Sequence, residues 1–167
     1  KLSPSLILNI LLFGFMGQVA WAVENNFFNL FLFNEIGGTP QDISNMVMAS
    51  SIVAVLTTLF MGSLSDKINK RKIFICAGYI VWGVTVMAFA LISPENVAKV
   101  MGTTPAAAVT TTITLVIIMD CVMTFFGSSA NDAAFNAWLT DSTDSTNRGT
   151  AEGINAMMPL VAILAVF

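Results

Sequence analysis

The stretch Gly62-Ser-Leu-Ser-Asp66-Lys67-Ile-Asn69-Lys70-Arg71-Lys72 decides how this chain folds. It holds four of the seven Lys and Arg residues and separates two almost uncharged apolar runs, residues 43–61 and 73–92. Each run is about the ~20 residues a helix needs to cross a bilayer. A loop this short forces the two helices to return antiparallel, and its positive charge assigns it to the cytoplasmic side. Gly62 is expected to let one helix end approach a neighbour closely. Asp66, four residues on, can pair with Lys67, with Arg71 or with the positive end of another helix. Asn69 is one of the few non-glycine residues that accept the left-handed conformation a tight reversal needs.

Composition agrees with this reading. Hydrophobic residues make up 56 % of the 167, charged residues 10 %, and the mean hydropathy is +0.80. A water-soluble domain needs more charge than that to cover its surface. The lipid bilayer is therefore the first expected partner, and a net charge of −3 offers no surface for nucleic acid. There is no histidine, which removes imidazole metal sites and histidine acid–base chemistry. Cys76 and Cys121 lie in separate apolar runs without CxxC spacing and read as buried free thiols. No metal-ligand cluster and no nucleophile with a base partner appears, so neither an enzyme nor a cofactor is expected. No cleavable signal peptide is visible.

Outward from the hinge, the chain divides into spans at about residues 5–33, 43–64, 73–92, 106–140 and 149–167. The fold class is all-α integral membrane: a single N-terminal helix bundle over residues 1–167, with four full spans and part of a fifth. The last run still reads as apolar at Phe167, so the chain is expected to stop inside a helix, with a further bundle in the same or a second chain. Residues 35–42 form an acidic, glycine-rich turn, and Ser93–Pro105 a looser connection, both external by parity. Six of the seven basic residues, all but Lys99, fall on the hinge side, which puts the N-terminus in the cytoplasm of a multi-pass cell (inner) membrane protein.

The chemistry is expected at three carboxylates inside apolar spans: Glu24, Asp120 and, less deeply, Asp132. A charge at the bilayer centre costs about 2.5–3.5 kcal/mol on insertion scales, and no Lys or Arg within these spans is available to pair with them. Such groups must be protonated, bind a cation or face water, options that suit a cation-coupled carrier. The alternative is a structural hydrogen bond between helices. Gln18, Trp21, Asn25 and Asn29 share one face of the first span at 100° per residue, with Glu24 on its shoulder, and Asn131 joins them from the fourth. Amides beside an aromatic plane suit a hydroxyl-rich solute such as a sugar, and equally suit polar contacts between helices. The hydroxyls of the second span (Ser44, Ser50, Ser51, Thr57, Thr58) read as groups bonded to their own helix, and Gly78 and Gly83 as close-packing positions in the third.

The hinge pattern Gly-x-x-x-Asp-(Lys/Arg)-x-Gly-(Lys/Arg)-(Lys/Arg) resembles the loop between helices two and three of the major facilitator superfamily. Gly62, Asp66, Lys67, Lys70 and Arg71 match, and Asn69 replaces the second glycine. Residues 17–35, GQVAWAVENNFFNLFLFNE, are similar to helix one of the glycoside–cation symporters, especially the sucrose–proton branch, and Asp141 to Arg148 to their Asp…Arg loop after helix four. The resemblance touches most of residues 14–153. It implies two six-helix bundles rocking about a central site, a solute and a coupling cation as partners, and a cytoplasmic gate of Gly62, Asp66, Lys67, Arg71, Asp141 and Arg148. There are departures. Melibiose-type members carry two carboxylates in helix two, where this chain has Ala54 and Thr58, which removes their sodium site and favours protons. Neither Glu24 nor Asp120 registers with those proteins' carboxylates in helices one and four.

The expected function is secondary active transport of a small polar solute, a sugar or glycoside, by proton symport through alternating access. A lipid transporter or drug exporter of the same superfamily is the alternative; against the exporter, Pro159 follows Met157-Met158 rather than a glycine. A non-transporting membrane subunit or fragment is the alternative from another class.

Overall fold

The structure is a computed structural model and describes residues 2–167. Lys1, counted above among the basic residues of the hinge side, lies outside the described residues. Among the described residues, five helices are long and apolar enough to cross a membrane. They are α1 (Pro4–Glu35), α2 (Pro40–Ile68), α3 (Arg71–Leu91), α5 (Pro105–Asp141) and α6 (Arg148–Val166), with a short α4 (Pro94–Met101) between α3 and α5. No strand occurs among the described residues.

Four helices open with the same device, a Ser or Thr cap followed by proline at the first helical position. Ser3, Thr39, Ser93 and Thr104 each accept a hydrogen bond from a backbone N–H of the first turn. Proline follows at no cost, because its missing N–H would have been unpaired there. At α2 the cap is reciprocal: Asp42 N–H donates to Thr39 Oγ1 (3.3 Å) and Thr39 N–H to Asp42 Oδ2 (2.8 Å). The reversal between α2 and α3 is as tight as expected. Asn69 takes the left-handed conformation at φ 54°, ψ 35°, and its N–H bonds back to Ser65 O.

One expectation for the connections is corrected. Ser93–Pro105 is not a loose segment but contains the two-turn helix α4, capped by Ser93 and ended by Gly102 at φ 65°. Its signals were local: cap, proline, Glu95 in the first turn, Lys99 in the last and a left-handed glycine. It buries Val97 and Ala98 against Ala108 of α5.

Helix α5 is the hub. α2, α3 and α4 all pack on it, whereas α2 and α3 barely touch although they are consecutive. α1 packs along α6 and meets α5 through Gly17, Trp21 and Glu24. The main core gathers Trp82 and Phe89 of α3, Phe28 and Leu32 of α1, Met46 of α2, and Val116 and Met123 of α5. Phe28 and Phe89 stack at 4.3 Å, and Trp21 tilts onto Trp82 at 4.9 Å. Gly78 brings α3 onto α5: a Cβ there would fall 2.6 Å from that of Ala130. Gly83 and Gly62, expected at close approaches, have open space around them within this chain.

α1 and α5 are not uniform α-helices. α1 contains π-helical turns at Ile10–Gly14, Glu24–Phe28 and Phe31–Glu35, and α5 a longer π-helical run at Ser128–Phe135. Such turns insert a residue into the ladder and recur at functional sites. Here they occur in the two helices that carry carboxylates within their spans.

Candidate functional site

A crevice lies between α1 and α2, with α5 contributing its remaining wall. The cavity there has a volume of about 410 Å³ and is lined by Gln18, Trp21, Glu24 and Asn25 of α1, Ser50, Ser51 and Ala54 of α2, and Thr124 and Asp132 of α5. Glu24 is 7 % exposed, so its carboxylate sits almost wholly inside the protein. Thr124 Oγ1 donates to its Oε1 at 3.2 Å, while Oε2 has no hydrogen-bond partner. A buried acceptor left open is uncommon enough to require an explanation. Asp120, 3 % exposed, lies one turn before Thr124, near enough to Glu24 for the two charges to interact, with Ser50 beside it. Among the described residues no Lys or Arg forms an ion pair with any of the three carboxylates.

Asp132 occupies the cavity wall in the π-helical run of α5. Asn131 Nδ2 donates to Asp132 Oδ1 at 3.0 Å, and Trp21 and Ser128 approach the same carboxylate. Asn131 is held on its other side by the Tyr79 hydroxyl, 2.9 Å from Asn131 Oδ1 and 2.9 Å from the Phe13 carbonyl. Gly17 makes room for this group, since a Cβ there would stand 2.7 Å from Tyr79 Oη and overlap the Asn131 amide.

The structure thus brings Gln18, Trp21, Glu24, Asn25 and Asp132 to one cavity, with Asp120 behind it. It does not bring Asn29 or Asn131 there. Asn29 Nδ2 donates to Asn25 O, and Asn25 Nδ2 to Trp21 O, so both amides spend donors on their own helix. The single-face reading fails at Asn29 because the π-helical turn at Glu24–Phe28 widens the helix and rotates later residues off the 100° progression. Sequence reasoning missed Gly17 and Tyr79 as parts of the site. Their long-range contacts leave no local signal. Ser50, Ser51 and Thr58 bond to carbonyls of their own helix, as expected, though Ser50 and Ser51 also face the cavity.

At the hinge end a second polar cluster forms. Arg71 reaches Asp66 (Nη2–Oδ1 2.6 Å), Asp141 (Nε–Oδ2 2.5 Å) and the buried Ser65 hydroxyl (Nη1–Oγ 2.9 Å). Asp66, Arg71 and Asp141 of the expected gate are therefore joined across α2, α3 and α5. Arg148 is not part of that cluster: its Nη2 donates to Thr140 O and Thr143 O, closing the end of α5. Lys67 makes no ion pair among the described residues, and a Cβ added at Gly62 would meet no described atom of another element within 4 Å. In the loop before Arg148, the Asp144 carboxylate accepts from the Thr146 hydroxyl (2.6 Å) and N–H (2.8 Å), which holds its pKa below the usual carboxylate range.

A protein-family model described as the Major Facilitator Superfamily matches residues 10–166. No curated protein matches the chain, and no solved structure does.

Proposed function

The chain belongs to the Major Facilitator Superfamily, a family of membrane transporters, and on that premise we propose that it couples movement of a small polar solute to a cation, in the symport direction. The observation that carries the proposal is Glu24, buried beside Asp120 and Asp132 with one oxygen open and no basic partner. A carboxylate in that setting needs a proton or another cation to remain there at low cost, and coupling is the gain and loss of that cation. Protons are the proposed cation, because Ala54 and Thr58 supply no second carboxylate from α2.

A sugar or glycoside is the proposed solute, in keeping with the resemblance of residues 17–35 to the sucrose–proton branch. The cavity supports it with one indole plane, two amides and two serine hydroxyls. We further propose that the hinge lies in the cytoplasm, that Asp66, Arg71 and Asp141 latch that side, and that a second bundle closes the crevice. The unpartnered surroundings of Gly62 support the last point.

The test is solute-driven proton uptake by the full-length protein in vesicles, with a panel of di- and oligosaccharides. Sugar-dependent alkalinisation outside, lost in Glu24→Gln or Asp120→Asn, is the expected result. No proton movement with any sugar, from folded protein, overturns sugar–proton symport.

A further inference from the structure

We propose that Asn131 and Tyr79 form a reversible hydrogen-bond relay that transmits the protonation state of Asp132 to the backbone of α1 at Phe13. The relay rests on reading Asp132 as a group that gains and loses a proton. It makes Tyr79 and Asn131 positioning residues rather than ligands of the solute.

Donors and acceptors are in short supply between Asp132 and Phe13. A tyrosine hydroxyl has one proton, and a primary amide has one acceptor oxygen and one nitrogen carrying two N–H donors. Tyr79 Oη stands 2.9 Å from two acceptors, Asn131 Oδ1 and Phe13 O, and can donate to only one at a time. Asn131 is 3 % exposed, so solvent does not make up a missing partner. With Asp132 ionised, the arrangement is the one observed: Asn131 Nδ2 donates to Asp132 Oδ1, and Asn131 Oδ1 accepts from Tyr79.

With Asp132 protonated on Oδ1, that arrangement sets a donor against a donor. Rotating the Asn131 amide by half a turn resolves the conflict. Asp132 O–H then donates to Asn131 Oδ1, Asn131 Nδ2 donates to a lone pair of Tyr79 Oη, and the Tyr79 proton is committed to Phe13 O. Only Asp132 gains or loses a proton; Asn131 and Tyr79 reverse polarity. In each state the Asp132 oxygen, Asn131 Oδ1 and the Tyr79 proton all have a partner, while Phe13 O accepts from Tyr79 only when Asp132 is protonated; leaving a buried donor unpaired is costly enough to hold the amide in one orientation per state.

The surroundings suit such a relay. Both ends lie in π-helical turns, Phe13 in Ile10–Gly14 and Asn131 with Asp132 in Ser128–Phe135. The relay links α5 through α3 to α1, two of which line the crevice. Gly17 keeps the Tyr79 hydroxyl accessible to both acceptors. The titratable groups facing Asp132 are Glu24 of α1 and Tyr79 of α3, with Asp120 of its own helix beyond Glu24. α2 presents only the hydroxyls of Ser50 and Ser51, and α6 brings no charged group to the cavity.

The experiment follows the hydrogen-bond signature of Tyr79 by ultraviolet resonance Raman spectroscopy. The full-length protein is held in lipid vesicles, and a Tyr79→Phe difference spectrum isolates the residue. The titration runs from about pH 4 to about pH 9, below the ~10 at which a free tyrosine ionises. The signature is expected to change from donor to combined donor and acceptor as pH falls, and to be pH-invariant in Asp132→Asn. A Tyr79 signature that does not move with pH overturns the relay whatever the Asp132 and Glu24 variants show. So does a response that survives Asp132→Asn and vanishes in Glu24→Gln. No solute enters this experiment, so failure of the relay and failure of sugar–proton symport are read separately.

Discussion

Arg71 shows how much one side chain can organise in this molecule. Its planar fork reaches a carboxylate on α2, a carboxylate on α5 and a buried hydroxyl at once, which lysine, with a single ammonium, cannot do. Asp66 and Asp141 are largely solvent-exposed, so each pair contributes only about 0.2–1 kcal/mol. Arg71→Lys is therefore expected to leave thermal stability within about 1 kcal/mol of wild type. Hydrogen exchange at residues 66–71 and 141–148 should nevertheless accelerate; unchanged exchange there would remove the latch from the argument. The two glycines of α3 make a sharper contrast. Gly78→Ala is expected to cost about 1–3 kcal/mol through collision with Ala130. Gly83→Ala, with open space around it, should gain up to about 1 kcal/mol from helix propensity. Melting in detergent of the two variants side by side checks the sign of each.

At the scale of the element, the hinge and the loop before α6 are set by short-range chemistry. Asn69→Ala places a β-carbon in a left-handed conformation, at a cost of roughly 1–2 kcal/mol, whereas Asn69→Gly does not. The expected outcome is a lower melting temperature for the alanine variant alone. In the 142–147 loop, Asp144 has a folded-state pKa depressed by its bonds from Thr146. Its contribution is thus present above the unfolded pKa and lost as pH falls through the folded one. Protection of the Thr146 amide relative to its intrinsic exchange rate should fall over that acidic window, and Asp144→Ala should lack that protection already at neutral pH.

At the scale of the whole molecule, α5 holds three helices that scarcely hold one another, and the outer faces of the helices around it are apolar and uncovered. Leu59 and Phe60 of α2 are 67 % and 72 % exposed, and Leu164 of α6 is 82 % exposed. In a bilayer such residues meet lipid at no cost, and in water they would be an aggregation hazard. Packing about one hub also explains why the crevice exists. α1 and α2 each follow α5 or α6, and among the described residues nothing draws them together over Glu24.

The five apolar helices, the tight reversal at the left-handed Asn69 and the membrane setting were all legible in the sequence. They follow from hydropathy, charge and backbone preference within a few neighbouring residues. The Ser/Thr-Pro caps were equally local, and the cap before Pro94 would have revealed α4. The family too was carried by a short ordered motif at residues 62–71. Only the tertiary structure decided which polar residues meet. Glu24 and Thr124 are 100 residues apart, Tyr79 and Asn131 are 52 apart, and Arg71 and Asp141 are 70 apart. The π-helical turns added a phase shift that a 100° projection does not contain, moving Asn29 off the face it shares on paper with Gln18. Periodicity fixes the faces of a regular helix; how those faces turn toward one another is settled by packing around α5.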